Sequence, residues 1–208
     1  MCLFETVKRE KGSIDVLFAS AGMGEAAPLG QITEQHFDKV FGLNTRSTVF
    51  TVQKALPLFT DGGSIFMTGS IVSVKGWPEW SVYGASKAAL RSFARIWLNE
   101  LKDRNSRVSV LSPGQIATPI QEQLFDAETQ RQFESLSPRG KMGRPEEIAT
   151  VALFLASDDS SYVNIGRRRH LGHLTLGPVL CFMATQTTSA SYSTRLAMKL
   201  SAGESVRP

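Results

Sequence analysis

The sequence contains few of the side chains that hold a fold together through disulfides or metals. Cys2 and Cys181 are the only cysteines among 208 residues, which is too few for a disulfide framework or a cysteine-ligated metal site. The three histidines share no metal-ligand spacing with a cysteine or an acidic cluster. We therefore predict no metal centre and no dependence on an oxidising compartment.

Long apolar runs are absent as well. No stretch approaches the roughly 18 consecutive apolar residues that a membrane-spanning helix requires. Charged residues interrupt the first apolar positions at once, which is not typical of a secretory signal. We expect a cytoplasmic protein with no membrane partner. The apolar fraction of 42% is sufficient for one domain with a sizeable core.

The net charge of +4 is modest, but it is unevenly distributed. Residues 164–208 carry six basic side chains against Glu204 alone, a net +5, so the remainder of the chain is at −1. A basic tail can contact nucleic acid or anionic lipid. A solvated tail is the simpler interpretation of so short a run, and we predict no specific nucleic-acid partner.

Apolar runs that resemble buried strands alternate along the chain with patterns of helical period. The predicted strands are 14–19, 64–69 and 107–111, and the predicted helices are 3–11, 34–59, 83–104 and 145–156. This alternation predicts an α/β fold with a parallel sheet and right-handed crossovers. We expect a turn at 61–63 and a polar, mobile segment at 115–144.

The segment from Ser70 to Lys87 is the strongest candidate for chemistry. Tyr83 and Lys87 are four residues apart, which places them on one face of a helix. A neighbouring cation favours the phenolate, so Lys87 is expected to lower the pKa of Tyr83. Ser70 follows a predicted strand, and its hydroxyl could hold a carbonyl oxygen for Tyr83 to protonate.

Together with Asn44 in the preceding helix and Pro113-Gly114 after the next strand, these residues resemble the short-chain dehydrogenase/reductase family. The resemblance covers about residues 11–163. It implies a Rossmann-like, three-layer fold and hydride transfer between NAD or NADP and a carbonyl or alcohol. It also implies a homo-oligomer that pairs through the helices carrying Asn44 and Tyr83.

The resemblance further implies a role for each matching residue. Tyr83 is the acid/base and Ser70 steadies the substrate oxygen. Lys87 lowers the tyrosine pKa and holds the nicotinamide ribose, and Asn44 supports a water that relays the proton. The residues implied to contact the cofactor are Ala21, Gly22, Tyr83, Lys87, Pro113, Gly114, Ile116 and Thr118.

The chain departs from the family pattern at three places. Ala19-Ser20-Ala21-Gly22 stands where Asn-Asn-Ala-Gly is usual, no Gly-rich turn precedes Ile14, and the resemblance ends after Val163. We therefore expect a partial domain at 1–163 and a disordered tail at 164–208, of which the apolar run Leu174–Met183 could dock on an uncovered edge. Strand 14–19 is expected at an exposed edge, and cofactor binding is expected to be impaired.

Two hypotheses about function follow. The first is an oxidoreductase, which the Ser70–Tyr83–Lys87 arrangement favours. The second is a truncated, inactive fragment or a non-catalytic binding subunit, which the two missing ends favour. Two details also stay open at this point: Asn44 could merely bend its helix, and Trp77 and Trp80 could form a pocket wall or only cover the core.

Overall fold

The computed structural model describes residues 3–118 and 125–163, together with the backbone of Val179–Phe182. The α-helices are α1 (Leu3–Lys11), α2 (Glu34–Phe41), α3 (Ser47–Ala55), α4 (Ser81–Glu100), α5 (Ala127–Ser135) and α6 (Pro145–Ala156). The strands are β1 (Ile14–Ala19), β2 (Phe59–Thr68), β3 (Arg107–Leu111) and β4 (Val179–Phe182).

The four strands form one parallel sheet in the order β3-β2-β1-β4. The predicted parallel α/β fold is thus confirmed. The expectation that β1 forms an exposed edge is wrong, because β4 pairs with it from Val16 to Ala19. That strand lies within Leu174–Met183, the run expected to dock there. The disorder expected for the rest of 164–208 concerns residues outside the described part of the chain.

Helices cover both faces of the sheet, which gives the predicted three layers. On one face, α1, α3 and α4 pack over the inward side chains of β1, β2 and β3, with Leu17, Ile65 and Leu90 almost fully buried. On the other face, α6 packs Leu155 against Phe66. The sheet therefore forms a rigid layer whose carboxyl ends present their loops at one edge.

Several helix ends follow the predicted chemistry. Gly12 has φ +78°, and its N–H donates to the carbonyls of Val7 and Lys8, so it ends α1. The Thr33 hydroxyl accepts from the His36 N–H at 3.1 Å and caps α2. Pro145 opens α6, where the Glu147 carboxylate accepts from the backbone N–H of Arg144.

Two predicted segments differ from the structure. The expected turn at 61–63 is an irregularity inside β2, where the pairing with β1 skips from Phe59 opposite Ile14 to Ser64 opposite Val16. The segment 115–144, expected to be polar and mobile, contains helix α5, which the sequence does not predict. Asp126 caps that helix by accepting from the Thr129 N–H.

Within the described residues, no helix is long and apolar enough to cross a membrane. The same part of the chain contains no cluster of three or more histidine, cysteine or acidic side chains that could hold a metal ion.

Candidate active site

A cavity of about 500 Å³ opens at the carboxyl ends of β1, β2 and β3. Each of these strands is followed by a loop that reaches the cavity: Gly24 comes after β1, Ser70 after β2 and Gly114 after β3. Tyr83 reaches the same cavity from the first turn of α4. The parallel sheet thereby brings together residues that are widely separated in the sequence.

Ser70 lies two residues beyond β2 and is 7% exposed. Its hydroxyl oxygen accepts from the Val72 backbone N–H at 3.2 Å, which holds the side chain at the start of a short 3-10 turn, Ile71–Ser73. The Ser70 hydroxyl also shares a hydrogen bond with the Tyr83 hydroxyl on the same cavity wall.

Burial raises the pKa of the Tyr83 phenol above its usual value, and a hydrogen bond with Ser70 opposes that increase. The lowering by Lys87 that the sequence predicts is not found in this structure. Lys87 Nζ lies 5.9 Å from the centre of the Tyr83 ring, and the causes that shift the Tyr83 pKa are desolvation and the Ser70 hydrogen bond. At neutral pH, Tyr83 is therefore a protonated phenol that can act as an acid.

Lys87 is buried on α4, one turn beyond Tyr83. Its ammonium donates to the Thr68 carbonyl at 2.8 Å. Desolvation lowers the pKa of Lys87 to about 8. A Cβ at Gly22 would lie 2.9 Å from Lys87 Nζ and 3.1 Å from Asn44 Oδ1, so the glycine makes room for both side chains.

Asn44 is completely buried in a π-helical turn, Gly42–Arg46, between α2 and α3. Its amide group bonds both backbone groups of Met23, at 2.8 and 2.9 Å, and donates to Ser86 Oγ at 2.9 Å. Ser86 in turn donates to the Tyr83 carbonyl at 2.7 Å. Asn44 thus connects the loop after β1 to the first turn of α4, and its implied role in a water relay stays a prediction.

The residues predicted to contact the cofactor all lie in the loops at this edge or on α4, but they do not all reach the cavity. Gly114 and Tyr83 line it, whereas Lys87 lies buried behind its wall. The Pro113 carbonyl accepts from the Ile71 N–H at 3.0 Å, which ties the loop after β3 to that after β2. Ile116 pairs with Gly143 in a short bridge, and Thr118 follows it.

Other cavity residues were not predicted from the sequence. Besides the two tryptophans left open above, the wall includes Glu25, Gln115, Phe125 and Phe133. Phe125 and Phe133 lie in the segment expected to be a mobile loop. The four-residue spacing that identified Tyr83 and Lys87 has no counterpart for them, because they belong to separate elements that meet only in the folded chain.

Comparisons with known proteins agree with this arrangement. Residues 2–166 match the family model described as enoyl-(acyl carrier protein) reductase. The chain is 49% identical over 163 residues to Oxidoreductase asL5 of Sarocladium schorii, covering 77% of this chain and 66% of that protein. It is 38% identical over 161 residues to the 3-oxoacyl-[acyl-carrier-protein] reductase FabG of Thermotoga maritima, covering 76% and 65%. The chain thus spans about two thirds of the length of these relatives.

Solved structures show the same likeness. The angucycline C-6 ketoreductase LanV with bound NADP superposes with a TM-score of 0.72 at 28% identity, covering 78% of this chain and 63% of that one. A short-chain dehydrogenase/reductase from Serratia marcescens BCRC 10948 gives a TM-score of 0.73 at 25% identity, covering 77% and 65%. The family model matches residues 2–166, which is most of this chain, and Ser70, Tyr83 and Lys87 lie together at one sheet edge. The chain therefore belongs to the short-chain dehydrogenase/reductase family.

Proposed function

We propose that this protein is an oxidoreductase that transfers a hydride between NAD or NADP and a carbonyl or alcohol substrate. The observation that carries the proposal is the placement of Ser70 and Tyr83 on the wall of one cavity, with Lys87 buried behind it. The relatives support the same chemistry, since the matched proteins include an oxidoreductase, a 3-oxoacyl reductase and a ketoreductase with bound NADP.

The residues at this edge of the sheet fit the nicotinamide end of such a cofactor. The Lys87 ammonium has three N–H donors, of which the Thr68 carbonyl takes one. The others can hold ribose hydroxyls, and the Cβ position of Gly114 is open, with nothing within 4 Å of it. When bound, the nicotinamide cofactor supplies or accepts the hydride.

In carbonyl reduction, Ser70 donates a hydrogen bond to the substrate oxygen and orients it towards Tyr83. Tyr83 then donates its phenolic proton to that oxygen as the carbonyl carbon receives the hydride. Alcohol oxidation requires the reverse proton transfer to a phenolate. Because burial raises the Tyr83 pKa, the chain's own residues favour reduction at neutral pH and oxidation at alkaline pH.

We further propose that the cofactor binds weakly. Two phosphate charges require backbone N–H groups and a helix N-terminus. Strand β1 lies between β2 and β4. Among the described residues, the neighbour on the side away from β2 is therefore β4 rather than a strand that leads into a Gly-rich turn and helix. A loss of about 4 kcal/mol would move a micromolar Kd into the millimolar range. Assays therefore require millimolar cofactor.

The proposal includes a homo-oligomer that forms through α3 and α4. Both helices present large apolar side chains to solvent, with Phe50 43% and Ile96 50% exposed. Exposed apolar side chains on adjacent helices are typical of an interface. Light scattering on the full chain, with Phe50→Glu and Ile96→Glu variants, tests this assembly. A wild-type monomer would contradict it.

A direct test of the activity compares two tyrosine variants. Tyr83→Phe removes only the proton-donating hydroxyl, so we expect turnover of a ketone with NADPH to fall by at least about a hundredfold, with substrate binding retained. Tyr162→Phe is the matched control, because Tyr162 is 83% exposed and lies outside the cavity wall. Wild-type turnover in Tyr83→Phe would remove Tyr83 from the mechanism.

A further inference from the structure

Aromatic side chains form much of the cavity wall next to Tyr83. Trp77 and Trp80 come from the loop before α4, while Phe125 and Phe133 come from the start of the α5 region and from α5 itself. The two phenylalanine rings meet edge to face, with their centres 5.0 Å apart. A volume of about 500 Å³ with such walls suits a compact multi-ring molecule better than a metabolite of a few carbon atoms.

Trp80 is held in place from three sides. Its six-membered ring lies so close to Gly24 that a Cβ there would be 2.8 Å from Cζ3. Its indole meets the Tyr83 ring edge to face, with centres 5.4 Å apart and planes at 77°. The preceding residue, Glu79, has φ +69°, and its carbonyl accepts from the Ala27 N–H at 2.8 Å.

The positive φ of Glu79 makes the backbone before Trp80 conformationally strained. A non-glycine residue with positive φ is disfavoured, and such strain persists where the surrounding structure enforces it. Here the Ala27–Glu79 hydrogen bond joins the loop after β1 to the loop carrying the tryptophans. Trp80 is therefore a flat surface held beside the Tyr83 ring, and aromatic rings favour stacked or edge-to-face contacts with such a surface.

The charge of the wall adds a second constraint. Among the described residues that line the cavity, Glu25 is the only charged side chain. Lys39 donates to Glu25 at 2.5 Å and keeps the pKa of that carboxyl below its usual value. A carboxylate or phosphate group on the ring end of a substrate therefore meets an anionic side chain and no cationic one among the described residues of this wall.

We propose that the substrate is a neutral ketone with a planar, fused aromatic ring system, whose carbonyl points to Ser70 and Tyr83 and whose rings lie against Trp80. The inference rests on the proposed function for the orientation of the carbonyl. The class of ring, its neutrality and its contact with Trp80 follow from the cavity itself. Trp80 thereby acts as the specificity-determining residue.

Calorimetry on the full chain without cofactor tests the inference independently of hydride transfer. The probes are β-naphthol, its saturated counterpart β-decalol, and the anion β-naphthoate, all at neutral pH. We expect β-naphthol to bind about threefold to tenfold more tightly than either of the others. Equal binding of β-decalol would overturn the aromatic requirement, and equal binding of β-naphthoate would overturn the neutrality. No binding of β-naphthol would overturn the inference as a whole.

Variants then locate the contact. Trp80→Leu should reduce β-naphthol affinity by about threefold to tenfold, and Trp80→Phe should retain most of it. Phe37→Leu is the control, since Phe37 is 44% exposed and lies outside the cavity wall. Unchanged affinity in folded Trp80→Leu, or an equal loss in Phe37→Leu, would refute the role of Trp80. If Trp80→Leu does not fold, the comparison of Trp80→Phe with wild type on β-naphthol and β-decalol decides: loss of the preference in Trp80→Phe would refute the stacking role.

The two proposals fail in different ways. If β-naphthol binds as expected but the chain transfers no hydride to β-tetralone at millimolar NADPH, the proposed oxidoreductase activity is wrong and the binding inference stands. If β-tetralone is reduced no better than β-decalone, the activity stands and the aromatic specificity is wrong.

Discussion

Gly22 lies where two buried polar side chains of the site meet. Any added side chain there would contact the Lys87 ammonium at 2.9 Å and the Asn44 amide oxygen at 3.1 Å. The contacting atom is the end of the flexible Lys87 side chain, which can move by a few tenths of an ångström. The fold can therefore tolerate the methyl group that an alanine at position 22 would add. The position of the ammonium relative to the cofactor cannot be preserved at the same time.

We therefore predict that Gly22→Ala reduces kcat by roughly tenfold to a hundredfold, because a small displacement of a positioned group lowers the rate of the catalysed step strongly. Its free energy of unfolding should change by less than about 1 kcal/mol. Gly30→Ala is the matched control, as a Cβ at Gly30 would meet nothing within 4 Å. Steady-state kinetics and urea unfolding on both variants measure the two effects, and a Gly22→Ala enzyme with unchanged kcat would contradict the prediction.

Lys87 makes stability depend on pH in a defined direction. Its pKa is about 8 in the folded protein against 10.5 for an unperturbed lysine. Between these values the unfolded chain holds a proton that the folded protein has released. Stability therefore increases as the pH rises through this interval, and the buried charge destabilises the fold below it.

Replacing Lys87 with methionine should remove this dependence. Relative to Lys87→Met, the wild-type free energy of unfolding should increase by on the order of 3 kcal/mol between pH 8 and pH 10.5. Urea unfolding at a series of pH values measures the difference. Lys102→Met, at an exposed position after α4, should follow the wild-type curve. Parallel curves for wild type and Lys87→Met would show that burial does not shift this lysine.

At the level of elements, the π-helical turn Gly42–Arg46 connects two other parts of the site, the loop after β1 and α4. It directs Asn44 inward, where the amide bonds both backbone groups of Met23 and the Ser86 hydroxyl. An extra residue in a helical turn is disfavoured unless the surrounding structure uses it. Asn44 thereby joins the loop after β1 to α4.

Asn44→Ala should consequently lower the free energy of unfolding by about 2–4 kcal/mol, since it leaves the partly buried backbone groups of Met23 and the buried Ser86 hydroxyl without this partner. Asn99→Ala serves as the control, because the Asn99 side chain is exposed and makes one bond, to the Arg95 carbonyl. Its effect should stay within about 0.5 kcal/mol. Chemical denaturation compares the two variants, and equal losses of stability would refute the connecting role of Asn44.

The elements that could be predicted from the sequence are those whose signals are local. Strand Ile14–Ala19 is apolar and follows Gly12, and α6 begins with a proline and two acids, so both are evident without a structure. The sequence predicts the start of β2 at residue 64 because Gly62 and Gly63 resemble a turn. In the structure β2 begins at Phe59, and β1 pairs with it on both sides of the irregularity. Helix α5 is mostly polar and lacks a buried face, so its periodicity gives no signal.

The candidate site divides in the same way. Tyr83 and Lys87 lie on one helix and Ser70 follows one strand, so their spacing, combined with Asn44 and Pro113-Gly114, identifies them in the sequence. The contact between Gly24 and Trp80, and the bonds from Asn44 to Met23, join loops that are distant in the sequence. Such contacts depend on how the loops after the strands come together across the sheet. A pattern within one stretch of sequence does not predict that arrangement.

For the whole molecule, the parallel sheet determines where chemistry can occur. The carboxyl ends of β1, β2 and β3 lie side by side, so the loops carrying Gly24, Ser70 and Gly114 surround one cavity. Strand β4 pairs with β1 on the side away from β2 and extends the sheet there. The central claim is that this edge supports transfer of a hydride, with Tyr83 supplying the proton.

Deuterium transfer tests that claim most directly. The full chain is incubated with β-tetralone and millimolar NADPH that carries deuterium at the transferable hydride position, and the alcohol product is analysed by mass spectrometry and NMR. The account predicts deuterium on the carbinol carbon with wild type and with Tyr162→Phe, and at least a hundredfold less, about the size expected for loss of an acid catalyst, with Tyr83→Phe. Product without deuterium at that carbon, or equal deuterium transfer by Tyr83→Phe, would contradict it.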